Sequence, residues 1–224
     1  MAGSGFADEL RAGAAGLWEA QHAHAFVRGI ADGTLPEDRF AHYVRQDYVF
    51  LVEYARMLAL GAARAPDLAT MRRFAELAQA ILGDEMELHR AFAREFRISE
   101  AELEAERPSP TTQGYTDFLV RTAALGELSE LAAALLPCIW GYAEIGRRLA
   151  LGGAPPDRRY ARWVETYASD EFDELAGWCR GLVDRLAIAI DAPGRARMAR
   201  AFETCSRYEL RFWEMGWTLE RWPV

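Results

Sequence analysis

Little in this sequence supports a covalent framework. It holds three cysteines, Cys138, Cys179 and Cys205, an odd number without framework spacing. That excludes a secreted disulfide scaffold and leaves thiols in a reducing compartment. Clustered positive charge is also lacking. Lys+Arg number 26 against 34 Asp+Glu, a formal net charge of −8, so the footprint of a phosphate-backbone binder is missing. The pairs Arg72-Arg73, Arg147-Arg148 and Arg158-Arg159 are isolated and read as solvated helix faces or ion-pair partners. No stretch approaches the roughly 18 uninterrupted apolar residues of a membrane span. The N-terminus has no basic flank before an apolar run, so neither signal peptide nor membrane segment is expected, and the cytoplasm is the expected location. No Asn-Gly or Asp-Gly turn lies between alternating apolar residues, which removes the hairpin signal. Dinucleotide, phosphate-loop and nucleophile-elbow motifs are missing too. The four histidines, His22, His24, His42 and His89, form no Cys/His cluster and no zinc spacing, so no metal is expected.

What is present is helical. Of 224 residues, 51% are hydrophobic, enough for one sizeable core and one domain, read as 1–224. Ala, Leu, Arg and Glu dominate, all good helix formers. Prolines at 36, 66, 108, 110, 155, 156, 193 and 223 stand where helical patterns start or stop, and Pro137 alone falls inside one. The spacing predicts helices at about 6–28, 37–64, 67–96, 111–125, 128–151, 157–190 (broken once) and 193–220. Asp191, Ser109-Pro110 and Gly152-Gly153 supply cap signals. Long helices with short joints make a bundle, so the fold class is all-α.

Polar residues inside apolar stripes carry the functional signal. Asp47 interrupts the stripe Phe40, Tyr43, Val44, Leu51, Tyr54, Leu58. Glu85 interrupts Phe74, Leu77, Ile81, Leu88, Phe92, and Glu209 interrupts Phe202, Cys205, Phe212, Trp213, Gly216. A buried carboxylate needs a partner, a raised pKa or a wet pocket. A structural hydrogen bond accounts for any one of them alone. Three on separate helices, flanked by aromatics, point to a site in the bundle core. Cys138 shares its stripe with Leu131, Leu135, Tyr142, Ile145 and Leu149, directly after Pro137. Proline there removes a backbone hydrogen bond and tends to kink a helix. Cys179 and Cys205 read as inert packing. Glu85 and His89, one turn apart, read as a helix-face hydrogen bond rather than metal ligands. The partner Glu-x-x-His helix of a bundle di-metal site is missing.

Several segments together resemble one known family. His24-Ala-Phe26, Ile30-Ala-Asp-Gly-Thr-Leu35 and the run from Phe40 through Tyr43, Gln46, Asp47, Tyr48 and Phe50 to Leu51 are similar to the opening of TenA proteins. Glu85-x-x-x-His89, Tyr115, Pro137-Cys138-x-x-x-Tyr142, Tyr167 and Tyr208-Glu209-x-x-Phe212-Trp213 continue the likeness over nearly the whole chain. The resemblance implies a heme-oxygenase-like helical bundle, a homotetramer, and an enzyme that needs neither metal nor organic cofactor. Its cysteine-containing members hydrolyse 4-amino-5-aminomethyl-2-methylpyrimidine to the hydroxymethyl pyrimidine and also cleave thiamin. Carried onto this chain, Cys138 is the nucleophile, Glu209 the acid/base and Asp47 the anchor of the amino group. Phe50, Tyr115, Tyr142, Tyr167, Phe212 and Trp213 are the aromatic walls that suit a flat pyrimidine, and Glu85 is a supporting residue. One position departs: Phe50 stands where many members have a tyrosine whose hydroxyl assists the cysteine.

Three other readings share the helical outline. A di-iron oxygenase on the same fold would need a His/Asp/His set where this chain reads Tyr167-Ala-Ser-Asp170-Glu-Phe-Asp173. A cofactor-free ring-oxidising synthase would need several His and Arg around its anionic substrate, and the seams offer acids and aromatics. A pyrimidine-binding protein without turnover is the non-enzyme alternative.

Overall fold

The computed structural model describes residues 5–223, the side chain of Asp84 apart. Among the described residues every regular element is helical: α1 Phe6–Gly13, α2 Ala15–His22, α3 Ala25–Asp32, α4 Glu37–Arg64, α5 Leu68–Ala80, α6 Met86–Glu95, α7 Glu100–Glu104, α8 Pro110–Leu125, α9 Leu128–Ala150, α10 Arg158–Tyr167, α11 Asp170–Ile188 and α12 Ala192–Thr218. A single π turn, Ile81–Glu85, joins α5 to α6.

Local chemistry explains most boundaries. Ser109 caps α8 by accepting from the Thr112 amide, with Pro110 in the first turn, where its missing N–H goes unnoticed. Asp191 Oδ1 accepts from the Gly194 amide (2.8 Å) at the start of α12. The expected break inside 157–190 falls at Ala168, and Ser169 caps α11 through Phe172 N. Three differences stand out. The expected first helix is three, broken at Ala14 and again where His24 Nδ1 accepts from Phe26 N (3.2 Å). The expected helix over 67–96 carries the π turn. Helix α7 was not expected, and its capping box pairs Ser99 with Glu102.

Backbone contacts separate the chain into two compact units, residues 1–35 with 129–211, and residues 36–128 with 212–224. In the second unit α4 packs on α5, α6, α7 and α8. Gly61 lets the Phe74 ring lie close, since an added Cβ would meet it at 2.8 Å. In the first unit α1 packs on α11. There α9 is apolar enough by composition to cross a membrane, but 78% of that window is buried inside the fold, as befits a core helix. It runs unbroken through Pro137.

Candidate active site

The second unit gathers the acids of α4 and the π turn. Phe40, Tyr43, Val44, Phe50, Leu51, Tyr54 and Leu58 of α4 are buried, and Asp47 is buried among them at 5% exposure. Its partner is His89 of α6, itself 3% exposed. His89 Nε2 lies 2.6 Å from Asp47 Oδ2, and Nδ1 lies 2.9 Å from the Glu85 carbonyl. A carbonyl only accepts, so Nδ1 carries a proton. Burial pushes the imidazole down, but the charge and hydrogen bond of Asp47 outweigh it and, with Glu85, hold it up at about 9. His89 is therefore an imidazolium at neutral pH, donating from both nitrogens. The expected helix-face bond between positions 85 and 89 exists, made to the backbone of Glu85 and not to its carboxyl. That carboxyl is raised to about 7 by burial, with His89 opposing and Asp47 adding to the rise.

The same unit also holds an aromatic wall. The Phe50 ring lies 5.1 Å from Tyr115, 5.3 Å from Tyr54 and 5.7 Å from Phe212. Tyr43 continues it with an edge-on contact to Phe212 (5.9 Å) and a stacked one to Trp213 (5.7 Å). These are the separations of favourable ring pairs.

The first unit holds the thiol and the remaining acid. Cys138 is half-buried on α9, while Cys179 and Cys205 are buried, and the three are thiols. One turn beyond Cys138, Tyr142 meets Tyr167 of α10 at 4.9 Å, and Trp163 and Phe172 close on Tyr167 at 4.6 and 5.0 Å. Gly146 permits this approach, because a Cβ there would lie 2.5 Å from the Tyr167 backbone. Glu209 is 2% exposed on α12, one turn after the buried Cys205. Also in this unit, ligand atoms of Glu19, His22 and Glu144 lie within 4.8 Å of one another. A cation already serves this group: Arg11 reaches Glu144 at 2.7 Å and Glu19 at 3.8 Å. Asp170 is exposed, and Asp173 pairs with Arg147 at 2.5 Å, so the stretch a di-iron set would need holds surface acids.

Of the expected site residues, Asp47, Glu85, Phe50, Tyr115 and Phe212 thus belong to one unit and Cys138, Tyr142, Tyr167 and Glu209 to the other. Within each unit the rings named in advance touch one another. Sequence reasoning gave His89 only a helix-face bond to position 85 and assigned no site role to Tyr54, Trp163 or Phe172. For His89 the signal was its place one turn after Glu85, but its side-chain partner lies 42 residues away.

Comparison with known proteins gives these observations a family. Residues 11–219 match the model of the TENA/THI-4/PQQC family. An aminopyrimidine aminohydrolase of Halalkalibacterium halodurans is 43% identical over 97% of this chain and 97% of its own length. A solved TenA homologue from P. horikoshii superposes with a TM-score of 0.90 at 32% identity, covering 96% of this chain and 99% of the other. A domain from Shewanella denitrificans with a heme oxygenase-like fold superposes at 0.75 with 13% identity, covering 95% and 92%, which shows the shared fold.

Proposed function

The chain belongs to the TENA/THI-4/PQQC family, and from that premise we propose that it is an aminopyrimidine aminohydrolase of thiamin salvage. The observation that carries this reading is the 43% identity, over 97% of both chains, to a protein of that name. The substrate is 4-amino-5-aminomethyl-2-methylpyrimidine, with thiamin as a second substrate. Asp47 accepts a hydrogen bond from the ring amino group, and His89, fixing Oδ2, leaves Oδ1 for that contact. Phe50, Tyr115 and Phe212, and Tyr142 and Tyr167, supply aromatic faces for the ring.

The chemistry follows from the residue types. The Cys138 thiolate adds to a ring carbon while Glu209 protonates a ring nitrogen, which breaks the aromaticity. The electron pair then expels the amine from the exocyclic methylene, and the amine leaves protonated. Water adds to that methylene as Glu209 takes its proton. Loss of the thiolate, with the ring nitrogen's proton released to solvent, restores the ring and yields the hydroxymethyl pyrimidine. Phe50 brings a wall without a hydroxyl, so activation of the thiol falls to other groups. The same reading has residues 1–224 act as one domain, assembled as a homotetramer in the cytoplasm, without metal or organic cofactor.

Incubation with each substrate tests this, followed for hydroxymethyl pyrimidine, with ammonia as the second product from the aminomethyl pyrimidine and the thiazole from thiamin. The wild type is expected to release product, and Cys138→Ser to lose at least about a thousandfold in rate. No product from either substrate rejects the function. Full activity in Cys138→Ser rejects the nucleophile.

A further inference from the structure

Glu85 holds a position that no step above uses. It ends the π turn between α5 and α6, and such turns insert one residue and re-aim the side chains that follow, often at functional sites. Its backbone is fixed by His89 through the carbonyl. Its carboxyl has no hydrogen-bond or ion-pair partner among the described residues, and the residue is half-buried rather than sealed. A partly exposed carboxyl without a protein partner is free to meet a ligand or water. Its electrostatic neighbours are Asp47 and His89, the pair placed at the substrate's amino group.

The 4-aminopyrimidine edge makes two demands. The amino group donates, and the adjacent ring nitrogen accepts. A carboxylate meets only the first, and Asp47 Oδ2 is already engaged by His89. The second demand needs a donor. Resting on the hydrolase reading above, we propose that Glu85 is a substrate-binding, specificity-determining residue whose carboxyl O–H donates to the ring nitrogen beside the amino group held by Asp47. Burial raises this acid to about 7, so it keeps its proton over the range in which a donor is required. An oxo-pyrimidine turns an acceptor oxygen toward the Asp47 carboxylate, which has no proton to offer, and is rejected there.

Isothermal titration with 4-amino-5-hydroxymethyl-2-methylpyrimidine and with its deaza analogue, that ring nitrogen replaced by C–H, provides the test. The wild type is expected to prefer the pyrimidine by about tenfold or more. Glu85→Ala loses the preference. Glu85→Gln keeps it, because an amide N–H still donates. Between pH 6 and about pH 8.5 wild-type affinity falls relative to Glu85→Gln, and the ligand's own titration cancels in that ratio. The charged groups acting on Glu85 are Asp47 of α4 and His89 of α6. On α5, Arg72 and Glu76 are exposed and Arg73 pairs with Glu76. Melting temperatures of both variants should not fall, since the carboxyl holds nothing in place. A preference that survives in Glu85→Ala, or a Glu85→Gln that behaves like Glu85→Ala, overturns the inference alone. A wild type that binds neither ligand overturns the hydrolase reading as well.

Discussion

His22 and His89 sit in matching company, yet the glutamates beside them shift in opposite directions. His22 lies 2.9 Å from Glu144 in the first unit, and His89 lies 2.6 Å from Asp47 in the second. Burial raises both Glu144 and Glu85. Around Glu144, hydrogen bonds from His22 and Arg11 and the charge of Arg11 reverse that and hold it at about 2. Among the described residues the charges acting on Glu85 are those of His89 and Asp47, and His89 is hydrogen-bonded to Asp47, so the acid stays at about 7. Arg11 is itself steadied over the Trp18 ring, 4.3 Å from its centroid. Hydrogen bonds from His22 and Arg11 to the carboxyl thus separate an ionised brace from a carboxyl that exchanges its proton near neutrality.

The largest effect should come from breaking the buried pair. His89→Ala strands the Asp47 carboxylate at 5% exposure, and removing one member of such a pair costs about 3 kcal/mol or more. His22→Ala leaves Glu144 with Arg11 and a 28% exposed side chain, so it should cost about 1 kcal/mol or less. Denaturant unfolding of the two variants at pH 6 compares them directly. Equal losses would remove the distinction between the clusters. The sign with pH is fixed as well. His89 is raised from 6.5 to about 9, so its contribution is complete below pH 6.5 and is lost as pH rises through about 9.

How much of this could be read beforehand depended on range along the chain. Helix α4 was legible at both ends because Pro36 and Pro66 bracket one unbroken stripe. Asp47 and Glu209 were legible as buried acids because three neighbours on each helix face were apolar. The Ser99-x-x-Glu102 box was in the sequence, but one turn of helix is too short for periodicity to register. The breaks at Ala14 and His24 have no proline to mark them, and the π turn appears only once α4 and α6 fix where Glu85 and His89 must point. The Asp47–His89 pair joins separate helices, and no local rule predicts a partner at that distance. For the same reason the raised Glu85 was visible only as a polar residue in a seam.

A smaller effect, of opposite sign, comes from Glu85. The folded state binds its proton more tightly than the unfolded chain does, at about 7 against 4.5. Stability therefore falls as pH rises across that window and stays low above it. Glu85→Gln removes the slope and should stabilise the protein by about 1 kcal/mol at pH 8 while leaving pH 4 unchanged. Thermal melts at the two pH values decide it. A variant less stable at pH 8 would mean that the ionised carboxyl has a structural partner, and the contrast with Glu144 would collapse.

The smallest change converts one cluster toward the other. Glu144 is depressed from 4.5 to about 2, so its contribution is present above pH 4.5 and is lost as pH falls through about 2. Arg11→Ala withdraws the guanidinium that lies 2.7 Å away and leaves Glu144 with a histidine alone. Both side chains are partly exposed, at 18% and 28%, which keeps the loss at neutral pH to about 1 kcal/mol. The titration is the sharper readout: followed by carboxyl-carbon NMR, Glu144 should move up toward the ordinary carboxylate range. It should stop short of the Glu85 value, because solvent reaches it and His22 still donates. A Glu144 that remains at about 2 without Arg11 would show that His22 suffices, and then a histidine partner, not the absence of arginine, would have to explain why Glu85 differs.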